Sequence, residues 1–348
     1  MNQRTTFIVG AGASKEVNLP TGYELKRDIA NLLDIRFDHW NQKSGDYVIA
    51  NALRHLVRTP DGRNGDINPY LHEAWHIRDA LPLAISIDNF IDSQRGNENI
   101  ALCGKLAITR AILEAEQNSL LFFESSVRRD SQLFYSSLEE TWYLPFFQLL
   151  TENCEKNDLV ERFSSVTLII FNYDRCIEHF IFNALKNYYR INDQEAAEIV
   201  GALNIYHPYG NVGALQWQPG GGGISFGEAP RPETLLACSE RIRTFTEGTN
   251  PEESEILAIR QHMREAKRIV FIGFAFHRLN MQLISPDGYD EGQEPPRCFA
   301  TTLGISEPDK GVIQNQIRNL YKDNLNTQMA NVKCSEFFSE FWRSLSFQ

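Results

Sequence analysis

Apolar positions along this chain follow two rhythms. Short, unbroken runs lie at 5–9, 166–171 and 268–272, with further ones at 203–206 and 297–303. Their β-branched and aromatic residues, with no polar alternation, predict strands covered on both faces, as in parallel sheets. Spacings of three and four between apolar residues predict amphipathic helices elsewhere. One covers 23–33, with Leu25, Ile29, Leu32 and Leu33 on its face, after a short helix at 13–17 and a turn at Pro20 and Gly22. Others cover 69–80, 86–91, 99–126 and 137–151, then a helix after Arg175 carrying Ile177, Phe180, Ile181 and Leu185. The last are 252–267, 309–321 and an aromatic-rich 335–347, in which Phe337, Phe338, Phe341 and Trp342 suit either core or an assembly surface. Residues 36–66 read as a polar connection with a loop at 61–65.

Strands alternating with helices predict an α/β protein. The expected architecture is a Rossmann-like, mostly parallel sheet with a helical insertion or subdomain at 35–153, in a single α/β domain over 1–348. A Gly-rich loop at 214–227, with four consecutive glycines at 220–223, covers or flanks a site, or links elements. At 348 residues the length also accommodates two domains, since an average one has ~100–200.

Composition narrows the function classes. Hydrophobic residues at 42% and charged residues at 23% are ordinary for a globular protein. A formal net charge of −11 opposes nucleic acid as a direct partner, because phosphate attraction needs clustered Lys and Arg. No stretch approaches the ~18 apolar residues of a membrane span. The first apolar run stops at Gly10, which does not suit a signal peptide. Cys103, Cys154, Cys176, Cys238, Cys298 and Cys334 are scattered, with no C-x-x-C, so zinc ribbons and disulfide scaffolds are disfavoured and a reducing cytoplasm is expected.

Candidate chemistry begins where the first strand ends, at Gly10-Ala11-Gly12-Ala13-Ser14. Two glycines let backbone approach a ligand, and the amides of Ala11 to Ser14 would point at a pyrophosphate. The third glycine of a dinucleotide fingerprint is missing, and a plain strand-to-helix turn needs glycine too. Asn172 and Asp174 follow the 166–171 strand at alternate positions, so they share a side if the strand continues. Helix capping alone would account for Asp174 but not Asn172. His207 lies in a Pro/Gly-bent loop, where it is either a titrating group or structural. His72, Glu73 and His76 match H-E-x-x-H, a motif that needs a third metal ligand this sequence does not identify.

Four motifs occur in order: Gly10-Ala11-Gly12-Ala13-Ser14 with Leu19-Pro20-Thr21, Phe171-Asn172-Tyr173-Asp174, His207-Pro208-Tyr209-Gly210, and Ile272-Gly273-Phe274-Ala275-Phe276. Together they resemble the sirtuin superfamily, and more narrowly the NAD-consuming sirtuin-like domains of bacterial anti-phage systems. The resemblance implies NAD as substrate and no metal. It places the pyrophosphate at Gly10, Ala11, Gly12, Ala13 and Ser14, and the nicotinamide-ribose end by Pro20 and Thr21. Gly273, Phe274 and Ala275 would lie under the adenine-side ribose, and Asp88 near the nicotinamide. Asn172 would orient a water or ribose hydroxyl, with Asp174 beside it. The family's catalytic His immediately precedes the glycine, a place held here by Tyr209; His207 stands two residues earlier, so either is a candidate base. Without paired cysteines, NAD hydrolysis ranks above protein deacylation. A sensor that binds NAD or ADP-ribose without cleaving it is the alternative. Because unchecked NAD loss would kill the host, the resemblance further implies a partner that senses infection, a HerA-type ATPase or a nucleotide-processing protein, or a homo-oligomeric switch.

Overall fold

The computed structural model describes residues 4–39, 41–59, 61–63, 65–124, 132–248, 254–286, 288, 294–321 and 327–347. Residues 125–126 and 252–253, expected as helix, and Asn64 of the expected loop lie outside them. The strands are β1 (Thr5–Val9), β2 (Arg36–Asp38), β3 (Asn41–Ser44), β4 (Val166–Ile170), β5 (Asn204–Tyr206), β6 (Arg268–Ile272), β7 (Arg297–Thr301) and β8 (Thr327–Ala330). Among the described residues, six of them make one sheet in the order β5-β4-β1-β6-β7-β8, and every pairing in it is parallel. Counted along its own strands, this is the 3-2-1-4-5-6 order of a doubly wound dinucleotide-binding sheet. Thr5 faces Val166 on one side and Arg268 on the other, so β1 is central and the chain reverses direction across the sheet beside it.

The unbroken apolar runs reflect burial on both faces. Ile8, Ile169, Ile269 and Phe271 join one core with helices Gly22–Leu33, Tyr47–Leu56, Asn68–Ala80 and Glu98–Gln117. Phe7, Val9, Ile170, Val270 and Phe299 join the other with helices Tyr143–Thr151, Cys176–Tyr189 and Cys334–Leu345. Residues one apart along a strand therefore serve different cores. Phe337 and Phe338 are fully buried, and Phe338 stacks on Trp142 and Phe7, so this part of the aromatic helix is core. Arg268, also buried, reaches back from β6 to the carbonyls of Leu345 and Ser346, which fastens that helix to the sheet.

The 36–66 stretch is more ordered than its polarity suggested. It forms the antiparallel β2–β3 hairpin and then helix Tyr47–Leu56, capped by Asp46, whose Oδ1 accepts from the Ile49 amide at 2.8 Å. Its buried face is Ile49, Ala50, Ala52 and Leu53, a stripe too rich in alanine to stand out as hydrophobic. The expected 99–126 helix ends at Gln117, and 137–151 is a 3-10 turn, Tyr135–Leu138, followed by helix Tyr143–Thr151. Among the described residues no helix is long and apolar enough to cross a membrane.

At the carboxyl ends of β1 and β6 two backbones meet. The Gly10 amide donates to Ile272 O and the Gly12 amide to Gly273 O, both at 3.0 Å. A Cβ on Gly10 would lie 2.4 Å from Gly273 O, and one on Gly12 2.9 Å from it. Both obstacles are backbone, so neither can swing aside. Gly10→Ala is therefore expected to lower stability by about 1–3 kcal/mol or more, as overpacking does. Gly201→Ala, where a Cβ meets nothing within 4 Å, is expected to be neutral or slightly stabilising. Thermal unfolding of the two variants beside the parent checks both.

Candidate active site

The chain leaves β4 at Ile170, and one more ladder bond, Phe171 N to Val9 O at 2.9 Å, keeps it beside β1 before it bends. Phe171 then packs between the Phe274 and Tyr209 rings, which gathers the exits of β4, β5 and β6 at one place. A cavity of about 540 Å³ opens there, walled by Gly10, Ala11, Pro20, Asp88, Asn172, Tyr173, Asp174, Tyr209 and Asn280 among others. A second, of about 960 Å³, lies on the other side of the glycine corner, walled by Gly12, Thr21, Gly273, Thr301, Leu303 and Lys333 among others. Ala11, Gly22, Phe274 and Ala275 line both. Each has the size of a small-molecule site, ~300–1,000 Å³.

Asn172 is nine-tenths buried and oriented by a relay. Its Nδ2 donates to Ser14 Oγ at 2.9 Å, and Ser14 donates to Asp174 Oδ2 at 3.0 Å. Asp174 Oδ1 accepts from the Cys176 amide at 3.1 Å, so both carboxylate oxygens act as acceptors. That direction leaves Ser14 only its lone pairs for Asn172 and turns the amide oxygen the other way. Among the described residues, Asn172 Oδ1 has no hydrogen-bond partner. Burial pushes the Asp174 carboxyl above its ordinary range. Asp174 thus holds the first amide of the helix Cys176–Tyr189, whose N-cap is Arg175, and also lines the cavity.

His207 corrects an expectation. It does not line either cavity; Nδ1 lies 3.1 Å from Asn172 O and Nε2 2.8 Å from Glu178 Oε1. Both partners are acceptors, so both ring nitrogens must donate, and the ring is an imidazolium with no lone pair for a proton. Burial works against that charge, but the adjacent Glu178 carboxylate and the Asn172 carbonyl outweigh it and raise the pKa. His207 therefore braces the backbone of Asn172 and is no base. Tyr209 does line the cavity, yet its hydroxyl donates to Asn280 Oδ1 and burial drives its pKa far above the usual phenol. In this geometry the His207 ring is turned to Asn172 O and Glu178, away from both cavities, and the Tyr209 hydroxyl is bonded to Asn280.

Asp88 stands in the cavity wall near the amino end of helix Ile87–Ser93, capped by Ser86. Its Oδ1 accepts from the Tyr173 hydroxyl, and burial raises its pKa to about 6, with Asp92 adding to the rise.

Other expectations need revising. Ala13 and Ser14 lie beneath the corner, lining neither cavity, and the amides of Gly12 and Ala13 are spent on Gly273 O and Gly10 O. Thr21 closes a capping box with Glu24 and faces the second cavity, not the one that holds Asn172. The Gly-rich loop does not cover the site: the carbonyls of Gly213, Ile224 and Ser225 are tied to Arg175, below it. His72 and His76 are exposed, beside Trp75 and Phe90, while Glu73 binds Asn97 Nδ2 at 3.0 Å; among the described residues no group of three could hold a metal. Lys26, Asp92, Tyr173, His277, Arg278 and Asn280 also line the first cavity and were not anticipated. The last three follow β6, and the carboxyl-end rule for α/β sheets could have found them.

No protein-family model matches the chain, and no curated protein does.

His207→Ala is expected to unfold more easily by about 3–5 kcal/mol, because it leaves the Glu178 charge buried and unpaired. A raised folded pKa means this stability is full below the unfolded value of ~6.5 and fades as pH rises through the higher folded one. The gap in unfolding midpoint between parent and variant, measured by denaturant titration, should therefore be wider at pH 6 than at pH 9.

Proposed function

We propose that this chain is an NAD glycohydrolase of the sirtuin-like kind, cleaving NAD to nicotinamide and ADP-ribose. The observation that supports it best is the pair of cavities meeting over the glycine corner at the switch point of a 3-2-1-4-5-6 sheet, one of them presenting a buried amide oxygen without a partner. A dinucleotide is the ligand with two such halves and a slender, charged middle. In this reading the nicotinamide riboside fills the cavity of Asn172 and Asp88, and the adenosine fills that of Gly273 and Thr301. The pyrophosphate crosses the shared wall at Ala11 and Gly22.

The geometry suits the chemistry. When the bond from C1′ to the pyridinium nitrogen breaks, its electron pair neutralises the ring and positive charge grows on the ribose. Asn172 Oδ1, preset by the Ser14–Asp174 relay, supplies a fixed dipole for that charge, or orients the attacking water, without reorganising. The order of the four sequence motifs extends the reading to an effector of bacterial anti-phage abortive infection. Such an activity is held in check until a partner or a second copy releases it.

A second reading, a sensor that binds NAD or ADP-ribose without cleaving it, is favoured by one observation. Tyr209, locked to Asn280, occupies the place of the family's His. Incubating the purified chain with NAD and following nicotinamide and ADP-ribose by chromatography separates the two. Release that falls at least about a hundredfold in Asn172→Ala, with little change in melting temperature, is expected. Saturable ADP-ribose binding with no release would make the sensor reading the better one.

A further inference from the structure

The first cavity contains a carboxylate, Asp88, that the resemblance places near the nicotinamide without giving it a step in the reaction. Asp88 enters the cavity from the helical block, on a helix that the sheet does not carry, and meets Tyr173, which comes from the exit of β4. The two residues reach one another across 85 positions of sequence. The contact brings a carboxylate to the same cavity as the Asn172 amide, on a different element. Its oxygen Oδ1 is held by the Tyr173 hydroxyl, which burial keeps protonated and therefore a donor.

Taking this together with NAD cleavage as the reaction, we propose that Asp88 is the general base of the site, taking a proton from the water that attacks C1′. In the step, the water oxygen bonds to C1′ as the C1′–nitrogen bond breaks. The bond's electron pair goes to the departing nicotinamide, and the water proton passes to the Asp88 carboxylate, later to solvent. No other reactant is needed. Tyr173 is a positioning residue here, fixing the carboxylate at the cavity wall where the water would approach.

The alternatives within the cavity are weaker on geometry. His207 is outside it with both nitrogens donating, and the Tyr209 hydroxyl is spent on Asn280. Asp174 has both oxygens engaged by Ser14 and Cys176. Burial and the neighbouring Asp92 bring Asp88 to about 6, where a base is largely ionised at neutral pH yet still basic enough to take a proton.

The charges around Asp88 bear on its titration. Lys26 and Arg278 share the cavity wall from the helix Gly22–Leu33 and the exit of β6, as does His277. Behind its helix, His76 lies against Phe90 and contacts Glu73, and Lys105 pairs with Glu247 at 2.7 Å. The Tyr173 hydroxyl and the Asp88 amide, which donate to the carboxylate, oppose the rise that burial and Asp92 produce.

The test is a pH–rate profile of nicotinamide release from NAD by the full chain and by Asp88→Asn. This substitution keeps an oxygen for the Tyr173 hydroxyl. The parent should lose rate tenfold per pH unit below about 6, because the base must be ionised. Asp88→Asn should lose about 10²–10⁴-fold in kcat, lose the acid limb, and keep its KM and melting temperature. Asp88→Ala with sodium azide gives an independent readout. Azide carries no proton to remove, so it should restore nicotinamide release and leave an azide at C1′ of the ADP-ribose. Asp88→Asn with parental kcat and an unchanged acid limb overturns the assignment while NAD cleavage stands. Restored release missing with azide, in a folded Asp88→Ala that binds ADP-ribose, does the same. A parent that releases no nicotinamide at any pH, alone or together with the proteins that co-purify with it, overturns NAD cleavage itself, and the base with it.

Discussion

The backbone contact between the ends of β1 and β6 is the constraint from which the site follows. Gly10 and Gly12 lie so close to Gly273 that a single Cβ would displace peptide from peptide. Two strands adjacent in the sheet but paired 263 positions apart in sequence are thereby closed into one corner, and the cavities are the spaces on its two sides. The glycines were expected to make room for a pyrophosphate. They first make room for each other, and whatever binds above them inherits a floor that has no freedom to move. The amides of Gly12 and Ala13 are used within that floor.

Buried charge performs the second part of the assembly. Arg175 and Glu116 are both fully buried and joined through three bonds, and the remaining guanidinium donors hold the carbonyls of Gly213, Ile224 and Ser225. This pair ties the helix Glu98–Gln117, the exit of β4 and the Gly-rich loop into one block. Glu178 and His207 do the same at smaller scale for the exits of β4 and β5. Buried ion pairs of this kind add little net stability over apolar packing, and their value here is that they fix loop backbone where no regular structure can.

Much of the fold was legible because its strands are buried on both faces, which leaves an unbroken apolar signature at β1, β4 and β6 that no helix shares. The helix Tyr47–Leu56 was not, since alanine fills half its buried face, and β8 was not, since Thr327 and Gln328 read as polar. Asn172, Asp174, Tyr209 and Asp88 were found as candidates, and the structure gathers them at one cavity. The role of His207 could not be read, because it depends on Glu178, a residue 29 positions away on the buried side of a helix. The contact of Asp88 with Tyr173 has the same character: the sequence carries both residues, but only packing between the helical block and the sheet brings them together.

The Gly-rich loop has a consequence for how the molecule can be altered. Its anchored residues, Ile224 and Ser225, are held by Arg175, while a Cβ at Gly220, Gly222 or Gly223 would meet nothing within 4 Å. A Cβ at Gly221, by contrast, would lie 2.2 Å from Leu215 O, so the loop is clamped at its base and at Gly221 and open at its tip, Gly222 and Gly223. Evolution can lengthen that tip, and a laboratory can splice an affinity handle or a fluorophore into it, without transmitting any change to the cavity floor.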